Sequence, residues 1–345
     1  MAYFQKFKWR FEAIIDQRVD PNEVMERPHI RFDGHNLSEI PQQWQHAQND
    51  ALGYFLWFYC QLARKKLLKL QPEDREVLAL FPFYFQAISY WQDEDSGHWE
   101  EARKISASSI GVVIAGLKSL KLLISDPDLA IDCRYQAELV TVEFLNELID
   151  TGTTALNKIL PAECIQPHPQ NRPYDAALLF LIYPLQVVEA AMSEQILELV
   201  INHLQGDYGI RRYLKDSFWC RDYKDLPEAI RTSISSEREQ WLQEHGRKLR
   251  EGEEAQWCIF DPIVSVIFGR KFHQTRQPEY LEQQIRYLNR SLRQLTSKDC
   301  QLGFKCPELY YLQNGNYIPN DATPLLWTQA NLRIALKIME DSLTI

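Results

Sequence analysis

No two cysteines in this sequence form a CxxC pair. Cys60, Cys133, Cys164, Cys220, Cys258, Cys300 and Cys306 are scattered and odd in number. This excludes a disulfide framework and reads as reduced thiols in a cytoplasmic protein. The eight histidines are dispersed, with no HExxH and no His/Cys cluster, so no zinc site and no cofactor is expected. GxSxG, P-loop and GxGxxG motifs are missing, which leaves serine-triad hydrolysis, phosphoryl transfer and dinucleotide redox chemistry without support. Positive charge is also short: the net charge is −9 and the pI about 5.5. Without a basic stripe to release counterions, no nucleic-acid partner is expected. The most basic run, ARKKLLKL at 63–70, ends an apolar helical pattern, where cations suit the helix dipole, and reads as a solvated face. The N-terminal MAYFQKFKWRFEAIID lacks an apolar core of signal-peptide length. The most apolar segment, AALLFLIYPLQVVEAAM at 176–192, is broken by Pro184, Gln186 and Glu189. It reads as a buried helix, and no membrane partner is expected.

Helical periodicity dominates what is present. Apolar residues fall on one broad face over 45–68, 72–91 and 106–124, and further patterns cover about 132–157, 174–204, 225–248, 258–269, 278–296 and 324–341. Pro72 with Glu73 and Asp74 is a start signal, serines around 106–109 offer caps for the third helix, and Thr323-Pro324 suits the first turn of the last. Small residues in SASSIGVVIAGL suit close helix packing. Strand alternation is scarce, no Gly/Ser linker divides the chain, and IQPHPQNRPYD at 165–175 reads as a loop. The expectation is an all-α protein, a single domain over 1–345, arranged as a ring of helical hairpins. In such a ring the inner helices run parallel, and the loops before their N-termini meet at one mouth. Those segments (42–50, 97–106, 170–175, 253–257 and 306–321) are rich in Trp, Tyr, Glu, Asp, Asn and Arg. With nine Trp and 16 Tyr in the chain, most are core, and those in loops suit stacking on sugar rings.

Two carboxylates stand out, Glu100 in HWEE and Glu308 in CPELYY. A ring would bring both to one mouth, and glycoside hydrolysis needs such a pair. The bland readings are a polar lead-in to a helix for Glu100 and Glu101, an ordinary loop glutamate for Glu308, and a helix cap for Asp50. The stretches WQHAQNDALGYFLWF (44–58), YWQDEDSGHWEEARKISASSIGVVIAGL (90–117), GIRRYLKDSFW (209–219), EEAQWCIFDP (253–262) and CPELYYLQNGNYIPNDATPLLWTQANLRIAL (306–336) together resemble glycoside hydrolase family 15, the glucoamylase family. The likeness is to its intracellular branch, which includes the N-terminal domain of the phosphorylase kinase α and β subunits.

The resemblance implies an (α/α)6 toroid and inverting hydrolysis of α-glucosidic bonds in an α-glucan or malto-oligosaccharide substrate. Glu100 matches the general acid, kept protonated among tryptophans, and Glu308 the general base that activates water, with carboxyls roughly 6.5–9.5 Å apart. Glu101 matches a sugar contact, and Asp50 the Asp that binds the terminal sugar. Arg212 matches a substrate-binding Arg, with Arg211 one position away as the other candidate. Trp91, Trp99 and Trp257 match aromatic positions near the site. His46 and His98 flank it as supporting or surface residues. Many catalytic members carry Arg where this chain has Asn49, so one charged sugar contact is missing or comes from elsewhere, such as Arg31. No starch-binding appendage is evident, and kinase signatures are absent. The alternative implied is a sugar-sensing or regulatory domain without turnover.

Overall fold

The structure, a computed structural model, describes residues 1–129, 131–232, 235–298 and 303–344. Its helices are α1 (Ala2–Lys6), α2 (Trp9–Ile15), α3 (Asn49–Arg64), α4 (Pro72–Ala87), α5 (Ala107–Ile124), α6 (Val142–Ile159), α7 (Leu179–Ile182), α8 (Ala190–Leu204), α9 (Ser235–Glu244), α10 (Phe260–Thr275), α11 (Pro278–Arg293) and α12 (Leu326–Leu343). Five short strands complete the set: β1 (Arg134–Tyr135), β2 (Glu138–Leu139), β3 (Gln256–Trp257), β4 (Leu309–Gln313) and β5 (Asn316–Pro319). The fold class is all-α, as the periodicity implies. Two compact units divide the chain, Met1–Asn171 and Arg172–Ile345, and the division falls inside the loop read from IQPHPQNRPYD.

In the first unit α3 and α5 pack at backbone distance. A side-chain carbon on Gly53 would lie 2.9 Å from the Val112 carbonyl carbon, and one on Gly116 would lie 2.9 Å from the Gly53 carbonyl oxygen. The small-residue face of α5 has this use. By length and composition α5 could cross a membrane, yet 78% of it is buried within the protein, which marks a core helix. Pro72 opens α4, reinforced by a capping box between Gln71 and Asp74.

Serine capping of α5 is not what forms. Ser106 makes no side-chain cap bond. Instead Glu163, from the loop after α6, accepts from the Ser108 backbone N–H at 3.0 Å and from its hydroxyl at 2.6 Å. Nor does Asp50 cap α3: the helix starts at Asn49, whose N–H donates to Asp95 Oδ2 at 3.0 Å. The helical pattern from 132 begins only at Val142, because β1 and β2 pair antiparallel first.

In the second unit the pattern over 174–204 splits into α7 and α8. Pro184, without an N–H and with a ring that clashes with the preceding turn, ends the first piece. The 225–248 pattern yields only α9 as α-helix, since Pro227 and two short 3-10 turns precede it. Pro324 stands before α12, whose first residue is Leu326, rather than in its first turn. The first ten residues of α10, Phe260–Gly269, are all buried, and α10 packs on α11 and α12 around Val266, Leu288, Leu332, Ala335 and Met339. The small sheet runs β3-β4-β5, antiparallel throughout. Cys60, Cys133, Cys164, Cys220, Cys258 and Cys306 are buried thiols; Cys300 lies outside the described residues.

Candidate functional site

The first unit gathers Asn49, Asp50, Trp99, Glu100 and Glu101 around the start of α3. Residues 95–104 form a loop closed at its base by a two-way backbone pair, Asp95 N–H to Lys104 O and Lys104 N–H to Asp95 O, each 2.9 Å. Glu100 ends the short turn Gly97–Trp99 in the left-handed region, φ 56° and ψ 40°. That backbone costs a glutamate about 1–2 kcal/mol. It recurs at other non-glycine positions such as Asp222 and Trp219, so position at the loop turn, not strain alone, distinguishes Glu100. Trp99 is buried and Glu100 half-buried. Glu101 is buried, 3.9 Å from Lys104 Nζ.

Asp50 sits at the second position of α3 and is 5% exposed. Its Oδ2 lies 3.6 Å from His98 Nδ1, and His98 Nε2 lies 3.2 Å from the Tyr54 hydroxyl. Its Oδ1 has no hydrogen-bond partner. Burial pushes Asp50 up to about 6, against the pull of nearby backbone N–H groups and Lys104. Burial, then the Asp50 charge, pushes neighbouring Asp95 up to about 7. The two carboxyls therefore hold a proton well above the usual carboxylate range.

Asn49 is buried, and its Oδ1, like that of Asp50, has no hydrogen-bond partner. Its side-chain amide donates to Asp93 Oδ2 at 2.8 Å, and Arg27, fully buried, clamps the same carboxylate with two 2.7 Å bonds. Arg31, the expected substitute cation, instead lies over the Trp44 ring at 4.0 Å. The cation that acts on Asp50 and Asp95 is Lys104, buried at the loop base. Lys104 and Asp95 escape sequence reading because each resembles an ordinary polar residue before a helix. His46 is buried and the His98 side chain is 4% exposed, so neither is a surface residue; His46 stacks on His29 at 3.7 Å, and burial, then the His29 charge, drops it to about 3. Trp91 stands apart from this group and lines a groove against α6.

The second unit gathers Arg212, Trp257 and Glu308 on its small sheet. Ile210 and Trp257 exchange backbone bonds of 3.1 and 2.9 Å, Trp257 pairs with Leu309 in the β3–β4 register, and Cys258 N–H donates to Glu308 O at 2.9 Å. Three sequence-distant segments are thereby locked side by side. Arg212 is buried, grips Asp216 through Nε at 2.6 Å and Nη2 at 2.7 Å, and lies 5.0 Å from the Trp257 and Phe218 ring centres. Arg211 pairs with Glu254 at 3.3 Å and donates to the Gln205 carbonyl, so Arg212 is the arginine that meets the expected aromatic. Asn320 donates to Glu308 Oε2. Burial raises Glu308 above the usual range, while Asn320 and the Arg212 charge hold it down. Asn320 is the third residue that sequence reading missed; its segment, IPND, was legible only as part of a polar loop.

No protein-family profile matches the chain. A probable phosphorylase b kinase regulatory subunit alpha from Caenorhabditis elegans is 27% identical over 308 residues, 83% of this chain but 22% of that protein. The chain thus spans about a fifth of its relative's length. Among solved structures, a wild-type glycosidase aligns with TM-score 0.65 and 15% identity, covering 98% of this chain and 80% of that one. A Saccharomycopsis fibuligera glucoamylase aligns with TM-score 0.56 and 12% identity, covering 90% and 73%. The sequence likeness to the kinase regulatory subunit is distant. The structural likeness shows the fold, an essentially all-α arrangement of the six-hairpin glycosidase kind.

Proposed function

We propose that this chain is a sugar-binding domain of glucoamylase type, recognising an α-glucan or malto-oligosaccharide in a sensing or regulatory role. The observation that carries the reading is the engagement of Asn49. Where many active glucoamylases place a charged sugar contact, this side chain is a neutral amide whose NH2 donates to Asp93, itself clamped by Arg27. Asp50 beside it keeps an oxygen open at a helix N-terminus, fit to accept a hydroxyl. The likeness to a phosphorylase kinase regulatory subunit supports the same reading. A thermal-shift series with maltose through maltoheptaose, run beside a glucose-release assay, tests it. Stabilisation without glucose release is the expected result; turnover at glucoamylase rates contradicts it.

The second reading, inverting hydrolysis, is favoured by the setting of Glu308, a largely buried carboxyl that burial pushes above the usual range, with the Asn320 amide and the Arg212 charge opposing that shift. Under it, the resemblance gives Glu308 the role of general base and Glu100 that of general acid. If glucose is released, Glu100→Gln and Glu308→Gln each cut turnover by about two orders of magnitude or more. Wild-type rates in either variant would remove that reading.

A further inference from the structure

Trp91, expected near the site, faces a surface groove of about 580 Å³ in the first unit, within the roughly 300–1,000 Å³ range of small-molecule sites. The groove follows from Gly152. A side-chain carbon there would overlap the Tyr90 hydroxyl at 2.0 Å, so glycine alone lets Tyr90 seat on α6, where its hydroxyl donates to the Leu148 carbonyl at 2.9 Å. Tyr90 then holds Trp91 edge-on, ring centres 5.6 Å apart, beside the outer face of α6.

The chemistry of the lining is selective. Trp91, Ile105 and Ile165 provide apolar surface, while Thr151, Thr154 and Lys158 stand exposed along α6. Ile165 is 57% exposed. Both threonine hydroxyls donate back into the helix, Thr151 to Glu147 O at 2.8 Å and Thr154 to Asp150 O at 2.9 Å. Their lone pairs are thus left to accept from a ligand, and Lys158 is there to donate. Lys158 is the one charged residue of the lining, in a chain of net charge −9. A flat aromatic wall, aliphatic sides, hydroxyl acceptors and little charge match a neutral hexose, which offers an apolar C–H face and a rim of hydroxyls.

We propose that this groove is a second carbohydrate site, holding glucose units of an α-glucan against Trp91, separate from the Asp50 cluster. The inference rests on the sugar-binding reading above for its ligand class. The groove is also tied to the Glu100 loop: Gln166 accepts from the Ile105 N–H at 2.7 Å and donates to Glu94 at 2.7 Å, on either side of the Asp95–Lys104 closure. A sugar resting there presses on the segment that anchors that loop.

Calorimetric titration of the full chain with maltoheptaose tests the proposal. Wild type is expected to bind two equivalents. Trp91→Ala weakens one by about tenfold or more, Thr154→Trp, which fills the groove from an exposed position, abolishes the same one, and Asp50→Asn weakens the other. Thr154→Trp keeps the test decisive if Trp91→Ala fails to fold. Two unchanged sites in the groove variants overturn the groove and leave the Asp50 reading standing. One wild-type site, lost in Asp50→Asn and kept in Thr154→Trp, does the same. One site lost in Thr154→Trp and kept in Asp50→Asn supports the groove and removes the Asp50 reading. No binding to wild type overturns both.

Discussion

Asp50 and Asp261 occupy the same local position in the two units. Each is the second residue of a buried helix, α3 and α10, and they are 5% and 0% exposed. Their surroundings differ. Asp261 Oδ1 accepts from Arg290 Nε and its Oδ2 from Gln294, both at 2.5 Å, so the residue fastens α10 to α11. Burial raises it, and Arg290 and Gln294 pull it back. Asp50 has no arginine. Its Oδ1 lacks a partner, its neighbours are the carboxyl of Asp95 and the ring of His98, and the nearest cation effect is that of Lys104. Folding alone accounts for Asp261. It leaves a buried carboxyl oxygen at Asp50 without a hydrogen-bond partner, a group that costs stability unless water or a ligand completes it.

The sharpest way to break this comparison is to remove the saturated member. Asp261→Ala strands the Arg290 guanidinium and should cost about 3–5 kcal/mol, read from the denaturant midpoint, whereas Asp50→Asn should leave the midpoint unchanged or raise it. Equal losses at both positions would mean that Asp50 is as structural as Asp261. Next in size is the long-range cap. Glu163→Ala frees the first turn of α5 and should cost about 1 kcal/mol; no loss would show that α5 needs no cap.

Smallest is the pH response. The folded pKa values of Asp50 and Asp95 lie above their ordinary values, so the native state binds more protons than the unfolded chain. The stability from this pair is full below about pH 4 and is lost as pH rises through about 6 and 7. The melting temperature should therefore fall between pH 5 and pH 8, and Asp50→Asn should flatten the fall. A rise over that range that Asp50→Asn does not alter would contradict the shared proton.

The same pair of helices shows what the sequence made legible. Helix identity followed from periodicity, and the small-residue face of α5 pointed to close packing; that its partner is α3, met at Gly53, did not. What holds the helix starts did not: Asp95 reaches back to Asn49, and Glu163 to Ser108, partners that local capping rules cannot see. Breaks were missed where one residue outweighed a period, as at Pro184 between α7 and α8. In the site, Glu308, Trp257 and Arg212 could be named because residue type and order carry the resemblance. Lys104 and Asn320 could not, since their importance comes from burial beside a carboxylate. The engagement of Asn49 by Asp93 likewise depends on Arg27, 22 residues earlier in the chain.

Asp50, with one buried oxygen lacking a hydrogen-bond partner, is proposed to meet a sugar hydroxyl. The direct measurement is the affinity of maltoheptaose for Asp50→Asn against wild type, with the melting temperatures of both recorded at the same pH. The account predicts affinity at the Asp50 site weaker by about tenfold or more, the loss of a hydrogen bond to a charged acceptor, in a protein whose melting temperature is unchanged or higher. Unchanged affinity at both sites, or a lost affinity that merely tracks a lowered melting temperature, would contradict it.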